Sequence, residues 1–98
     1  MSLHANARWL VTYDIADPRR LARVFKFLKK QGVPVQYSVF QVDASAAKTG
    51  NLMVQMAKLI DADADDVRAY RLPENTWKTT LGAGILPEGV LVTAKDLL

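Results

Sequence analysis

The stretch Trp9-Leu10-Val11-Thr12-Tyr13-Asp14-Ile15-Ala16-Asp17-Pro18 constrains the fold more than any other part of the chain. It opens as an apolar run rich in β-branched and aromatic residues, the composition of a strand. It closes on two acidic residues and a proline, the signal for the start of a helix. Side chains alternate along a strand, so Val11, Tyr13 and Ile15 point one way and Leu10, Thr12 and Asp14 the other. Both sets are largely apolar, which predicts a central strand covered on both faces. Asp14 falls at its carboxyl end, where a sheet commonly presents functional groups.

The strand is expected over about residues 8–16, and the chain after it continues the pattern. Asp17 reads as an N-cap with Pro18 at the first helical position. The helix should run to about Gln31, burying Leu21, Val24, Phe25 and Leu28. Arg19, Arg23, Lys26 and Lys30 recur on its other side as one basic band, and Phe27 fits neither stripe. Gly32 reads as a left-handed C-cap, with Pro34 blocking continuation. Val35–Val42 reads as one strand, and residues 43–49 as a polar connection in which Ser45 can cap a second helix. Leu52, Met53, Met56, Leu59 and Ile60 give that helix its apolar side. Asp61–Asp66 is an acidic turn, Val67–Leu72 a third strand ended by Pro73, and Trp77–Leu81 a fourth. Gly82 and Gly84 form a joint before a fifth strand at Val90–Thr93.

Strands and helices in this order predict an α+β domain of the ferredoxin-like, βαββαβ-type split βαβ arrangement. Two helices cover one face of an antiparallel sheet. The core is expected over residues 8–81, with 82–98 as a C-terminal extension. The sheet face away from the helices, on which Phe40 and Tyr70 are expected, needs a cover. A second copy of the chain is the simplest cover, so a homodimer with an exchanged last strand is expected.

Composition sets the outer limits. Ninety-eight residues make one small domain. There is no cysteine and a single histidine, His4, in the polar lead. Thiolate chemistry and cysteine-ligated zinc are therefore excluded, and with His4 as the one histidine a histidine-activated serine nucleophile at Ser38 is not expected. No apolar run approaches the length of a membrane span and residues 1–7 lack a signal-peptide core, so no membrane contact and a cytoplasmic location are expected. The net charge of +3 is modest, but its distribution is uneven. Cations gather between Arg19 and Lys30, acids between Asp61 and Asp66. A basic helix face of this kind is either solvated or a phosphate-binding surface.

Two motifs taken together carry a resemblance. Leu10-Val11-Thr12-Tyr13-Asp14-Ile15, followed by a basic helix and Val35-Gln36-Tyr37-Ser38-Val39-Phe40, resembles the Cas2 family of CRISPR-associated proteins. The likeness is dense from about Arg8 to Gln41. It implies a ferredoxin-like homodimer whose last strand extends onto the partner's sheet. It implies a metal-dependent nuclease acting on RNA or double-stranded DNA, and a role beside the Cas1 integrase in spacer acquisition. By the same resemblance Asp14 matches the family's aspartate at the end of the first strand. Tyr13 matches the tyrosine before it, Arg23 the helix arginine, and Phe40 the aromatic closing the second strand. Pro34-Val35 and Leu21 stand where members carry basic residues.

The chemistry follows from these positions. A carboxylate such as Asp14 suits a hard cation, Mg²⁺ or Mn²⁺, beside a scissile phosphate. Such an ion polarises the phosphoryl oxygen and lowers the pKa of its water, so no protein nucleophile is needed. The other reading is that Asp14 caps the turn that follows it. One carboxylate is too few for a tight site, and a dimer axis would bring a second Asp14. Arg19, Arg23, Lys26 and Lys30 are candidate nucleic-acid contacts, with Tyr13 and Phe40 in support. Two alternatives share parts of this reading: a non-catalytic dimeric scaffold for the integrase and its DNA, and a ferredoxin-like RNA-binding or toxin-type module.

Overall fold

Strand β1, Asn6–Asp14, lies inside a four-stranded antiparallel sheet, and the other elements are arranged on it. The computed structural model describes residues 3–75. After β1 come α1 (Pro18–Gln31), β2 (Val33–Gln36), β3 (Val39–Ser45), α2 (Ala46–Ala57) and β4 (Asp66–Leu72). The strand order is β2-β3-β1-β4. β1 and β2 run parallel with β3 between them, and β3 and β4 run parallel with β1 between them. Each helix is thus the crossover of a split βαβ unit, the ferredoxin-like arrangement. The expected strands Trp77–Leu81 and Val90–Thr93, the Gly82/Gly84 joint, the boundary at residue 81 and the exchanged strand lie outside the described residues.

The helix starts obey local rules. The Asp17 carboxylate accepts a hydrogen bond from the Arg20 N–H at 2.9 Å, with Pro18 opening α1. Ser45 caps α2 in the same way, its Oγ accepting from the Lys48 N–H at 3.1 Å. The connection expected over residues 43–49 does not exist, because β3 runs directly into that cap.

Gly32 ends α1, but in an extended conformation with φ −163°, not the left-handed one expected. The reason for glycine is proximity. A Cβ at this position would collide with the Gln41 carbonyl oxygen and lie 2.9 Å from Val42 Cγ2.

The stretch expected as one strand, Val35–Val42, is a hairpin. It folds back at Tyr37-Ser38, where Ser38 takes φ 61°. Positive φ is common in two-residue hairpin loops and disfavoured outside glycine and asparagine. The Ser38 carbonyl accepts from the Tyr13 N–H at 3.1 Å, which ties the turn to β1. A register irregularity between Pro34 and Gln36 accommodates the proline on this edge strand.

Val11 and Tyr13 form the most buried part of β1, Ile15 just beyond its end is buried with them, and they share one core with Phe40, Val42 and Ala44 of β3. Val24 and Leu28 of α1 and Leu52 and Met56 of α2 close over them. Phe40, expected on the uncovered face, is fully buried under the helices, because its register partner is the inward-pointing Val11. Phe25, expected in the buried stripe, is 42% exposed. The opposite sheet face carries Leu10, Thr12, Val39 and Tyr70. β1 is therefore central, but among the described residues only its helix side is covered: Leu10 and Thr12 stay half-buried and Tyr70 exposed.

Candidate functional site

Asp14 is the last residue of β1 and is exposed on the open sheet face. The strand stops there because Ile15 and Ala16 turn away into the Asp17 cap. Among the described residues, nothing hydrogen-bonds to the Asp14 carboxylate, so it does not serve as a turn cap there. Its cross-strand partner is Asp66, the first residue of β4. Directly opposed residues share a face, and like charges so placed are unfavourable without a cation nearby. Arg68 supplies one on one side, its Nε 2.9 Å from Asp66 Oδ2. Both partners of that pair are solvent-exposed, so it contributes little to stability.

Asp66 is a residue that sequence reasoning missed. It reads as the end of an acidic turn, and only the β1–β4 register places it beside Asp14. The described residues hold no group of three or more His, Asp or Glu placed to hold a metal ion together. Asp14 with Asp66 is thus an open, all-oxygen donor pair. Such a pair could take a hard, water-rich cation such as Mg²⁺ or Mn²⁺, and it offers none of the nitrogen or sulfur donors that most zinc sites use.

The rest of the acidic turn is structural. Asp65 Oδ2 receives Arg20 Nε at 2.7 Å and the Asp61 N–H at 2.9 Å. Asp65 Oδ1 receives the Ala16 N–H at 2.9 Å and Arg20 Nη2 at 3.1 Å. Its side chain has no exposed surface. This one carboxylate joins the acidic turn, α1 and the loop two residues after Asp14. The Arg20 bond, followed by the Asp61 and Ala16 amides, outweighs burial and holds the Asp65 carboxyl well below the usual carboxylate range.

The folded state therefore binds this proton more weakly than the unfolded chain. The stabilisation is complete above the unfolded value, about 4, and is lost progressively as pH falls below it. Asp65→Asn should lower the thermal midpoint by several degrees at pH 7. The difference from the parent should shrink in melts run towards pH 2.5.

The basic band stays intact. Arg19, Arg23, Lys26 and Lys30 are exposed along α1, and none forms an ion pair among the described residues. Arg20, outside the band, is the cation consumed by the acidic turn. Lys29 stands 5.9 Å over the Phe25 ring. Tyr13 and Phe40 lie together beneath the helix, ring centroids 6.2 Å apart, and Phe25 meets Phe40 edge-on at 5.5 Å. Burial, and then the neighbouring Tyr37, push the Tyr13 hydroxyl above its ordinary pKa. Two sets thus form, the band on α1 and the aromatics under it. Asp14 lies on the other face of the sheet from Tyr13.

A family model described as CRISPR associated protein Cas2 matches residues 7–80. This chain belongs to the Cas2 family. A relative from Nitrosomonas europaea, named CRISPR-associated endoribonuclease Cas2 1, is 40% identical over 86 residues, covering 88% of this chain and 82% of that one. Two solved structures share the Cas2-family fold seen here. A hypothetical protein from Thermus thermophilus superposes with TM-score 0.76 at 31% identity, covering 86% of this chain and all of that one. Streptococcus pyogenes Cas2 superposes with TM-score 0.68 at 34% identity, covering 76% and 99%. The matched segment contains Asp14, Asp66 and the whole basic band. No described helix is long and apolar enough to cross a membrane.

Proposed function

We propose that this chain is a metal-dependent endonuclease of CRISPR adaptation, hydrolysing phosphodiester bonds in RNA or double-stranded DNA. The observation that carries this reading is the Asp14 carboxylate at the end of β1, opposite Asp66 and unengaged among the described residues, in a Cas2-family fold. Asp14, with Asp66 beside it, would hold Mg²⁺ or Mn²⁺, which supplies polarisation of a phosphate oxygen and a more acidic water. Arg19, Arg23, Lys26 and Lys30 bind backbone phosphates and retain the strand. Asp65 and Arg20 fix the loop that follows Asp14. Tyr13 and Phe40 support α1 from below.

The protein works as a cytoplasmic homodimer beside the Cas1 integrase. Half-buried Leu10 and Thr12 and exposed Tyr70 on the open sheet face support the dimer, since they form a continuous surface that a second copy would cover. Asp14 lies on that same face, so dimerisation would bring two Asp14–Asp66 pairs towards one another. The test is cleavage of labelled RNA and duplex DNA with Mg²⁺ or Mn²⁺, with excess EDTA as control. Activity that survives EDTA refutes the metal-dependent reading.

The scaffold reading is favoured by one specific observation: Asp14 and the basic band do not share a face. A dimer that holds DNA on α1 without cutting it satisfies that geometry. Both readings require the band to meet phosphates. Arg23→Ala with Lys26→Ala should reduce the slope of log affinity against log salt by roughly 1 to 2. An unchanged slope in a salt titration marks the band as a solvated face.

A further inference from the structure

A cleft of about 590 Å³ opens between the first half of α1 and the β2–β3 turn. Its size falls within the roughly 300–1,000 Å³ typical of small-molecule sites. Pro18, Ala22 and Phe25 line one wall; Pro34, Val35 and Tyr37 line the other. We propose that this cleft receives one unpaired nucleobase of a single-stranded nucleic acid whose phosphates run along the basic band. The proposal rests on the nucleic-acid reading above and names a subsite within it.

Four observations converge on that occupant. First, two aromatic rings that line the cleft remain in contact with solvent. Tyr37 is 85% exposed and Phe25 42% exposed. Aromatic faces kept in water next to a slot suit stacking with a base. Second, the Tyr37 backbone is held in place. Ser38 beside it adopts φ 61°, and its carbonyl is tied to the Tyr13 amide, so the turn presents its ring from a fixed backbone.

Third, charge complements the ligand. Among the described residues no acidic one lines the cleft, Lys29 sits over the Phe25 ring, and Arg19 and Lys26 are the next positions around the helix from Pro18, Ala22 and Phe25. An apolar peptide needs no such collar, whereas a nucleotide carries a phosphate for it. Fourth, the Gln36 amide and the Ser38 hydroxyl lie in the lining and supply the donors and acceptors that a base edge requires.

The test compares roughly ten-nucleotide single strands, one base-bearing and one with abasic sites throughout, by fluorescence anisotropy. The full-length protein should bind the base-bearing strand roughly tenfold more tightly. Tyr37→Ala, at a position too exposed to affect folding, should remove that preference while leaving the salt slope unchanged. Arg23→Ala with Lys26→Ala should weaken both strands alike and preserve the preference. Equal binding of the two strands by the parent overturns the subsite and leaves the phosphate-binding reading standing. Equal weakening of both by Tyr37→Ala does the same. A Tyr37→Ala protein whose mass by light scattering falls relative to the parent shows a second copy in the cleft and also overturns it. Failure of the parent to bind either strand overturns the subsite; if a duplex of the same length is not bound in the same titration either, the nucleic-acid reading falls with it.

Discussion

Asp14→Asn is expected to lower metal-dependent cleavage at least about 100-fold, since it removes the charge that would hold the cation while keeping the side chain's size. The fold should be untouched. Asp14 is exposed, carries no hydrogen bond among the described residues and contributes nothing to the core. Removing one of two opposed carboxylates also relieves repulsion, so the thermal midpoint should hold or rise slightly. Single-strand and duplex affinity should stay near the parent's, because the phosphate contacts are assigned to α1. Initial rates with Mn²⁺, paired with a thermal melt and a binding isotherm, check all three parts. Cleavage unaffected by the substitution would leave the scaffold reading in possession of the fold. Asp66→Asn under the same assay shows whether the neighbouring carboxylate contributes or serves only Arg68.

Phe40→Ala should have the largest effect on stability. The ring has no exposed surface, meets Tyr13 and Phe25, and sits opposite Val11 at the centre of the sheet. Truncating such a ring costs about 3–5 kcal/mol in transfer and cavity terms. A domain of this size has about 5–15 kcal/mol in total, so a large part of the native population becomes vulnerable. Phe40→Leu fills most of the cavity and should recover more than half of the loss. Urea unfolding of the three proteins measures it. This separates two roles that Phe40 can play. If stability falls and Phe40→Leu restores cleavage with it, the ring acts by supporting α1 and the turn. If Phe40→Leu is stable but binds nucleic acid poorly, the aromatic character itself is needed.

Much of this architecture follows from interactions within a few residues, and those are legible along the chain. The N-cap of α1 depends on Asp17, Pro18 and Arg20, all within four positions, and it forms as the pattern requires. Helical spacing puts Arg19, Arg23, Lys26 and Lys30 on one stripe whatever the helix packs against. Alternation along β1 puts Val11 and Tyr13 inside and leaves Asp14, the last residue of the strand, on the other face. The same local signals misled where composition and geometry conflict. Tyr37-Ser38 carries no glycine, asparagine or proline, so the hairpin turn is hidden inside a run of strand-forming residues. What selects it is the tie to Tyr13 and the need to return β3 beside β1.

The tertiary structure alone decided the chemistry around Asp14. Asp66 comes beside it only through the pairing of β1 with β4, more than fifty residues along the chain, and a register offset of a single residue would turn its side chain to the other face. Asp65 meets Arg20 and Ala16 across separations of 45 and 49 residues, and no local rule distinguishes it from the other three aspartates of its turn. Gly32 likewise owes its identity to a carbonyl on β3, not to the helix that it ends. Caps, periodicity and strand alternation are short-range and survive in the sequence. Register, ion pairs between distant elements and close backbone approaches arise from packing, and they appear only once the sheet is assembled.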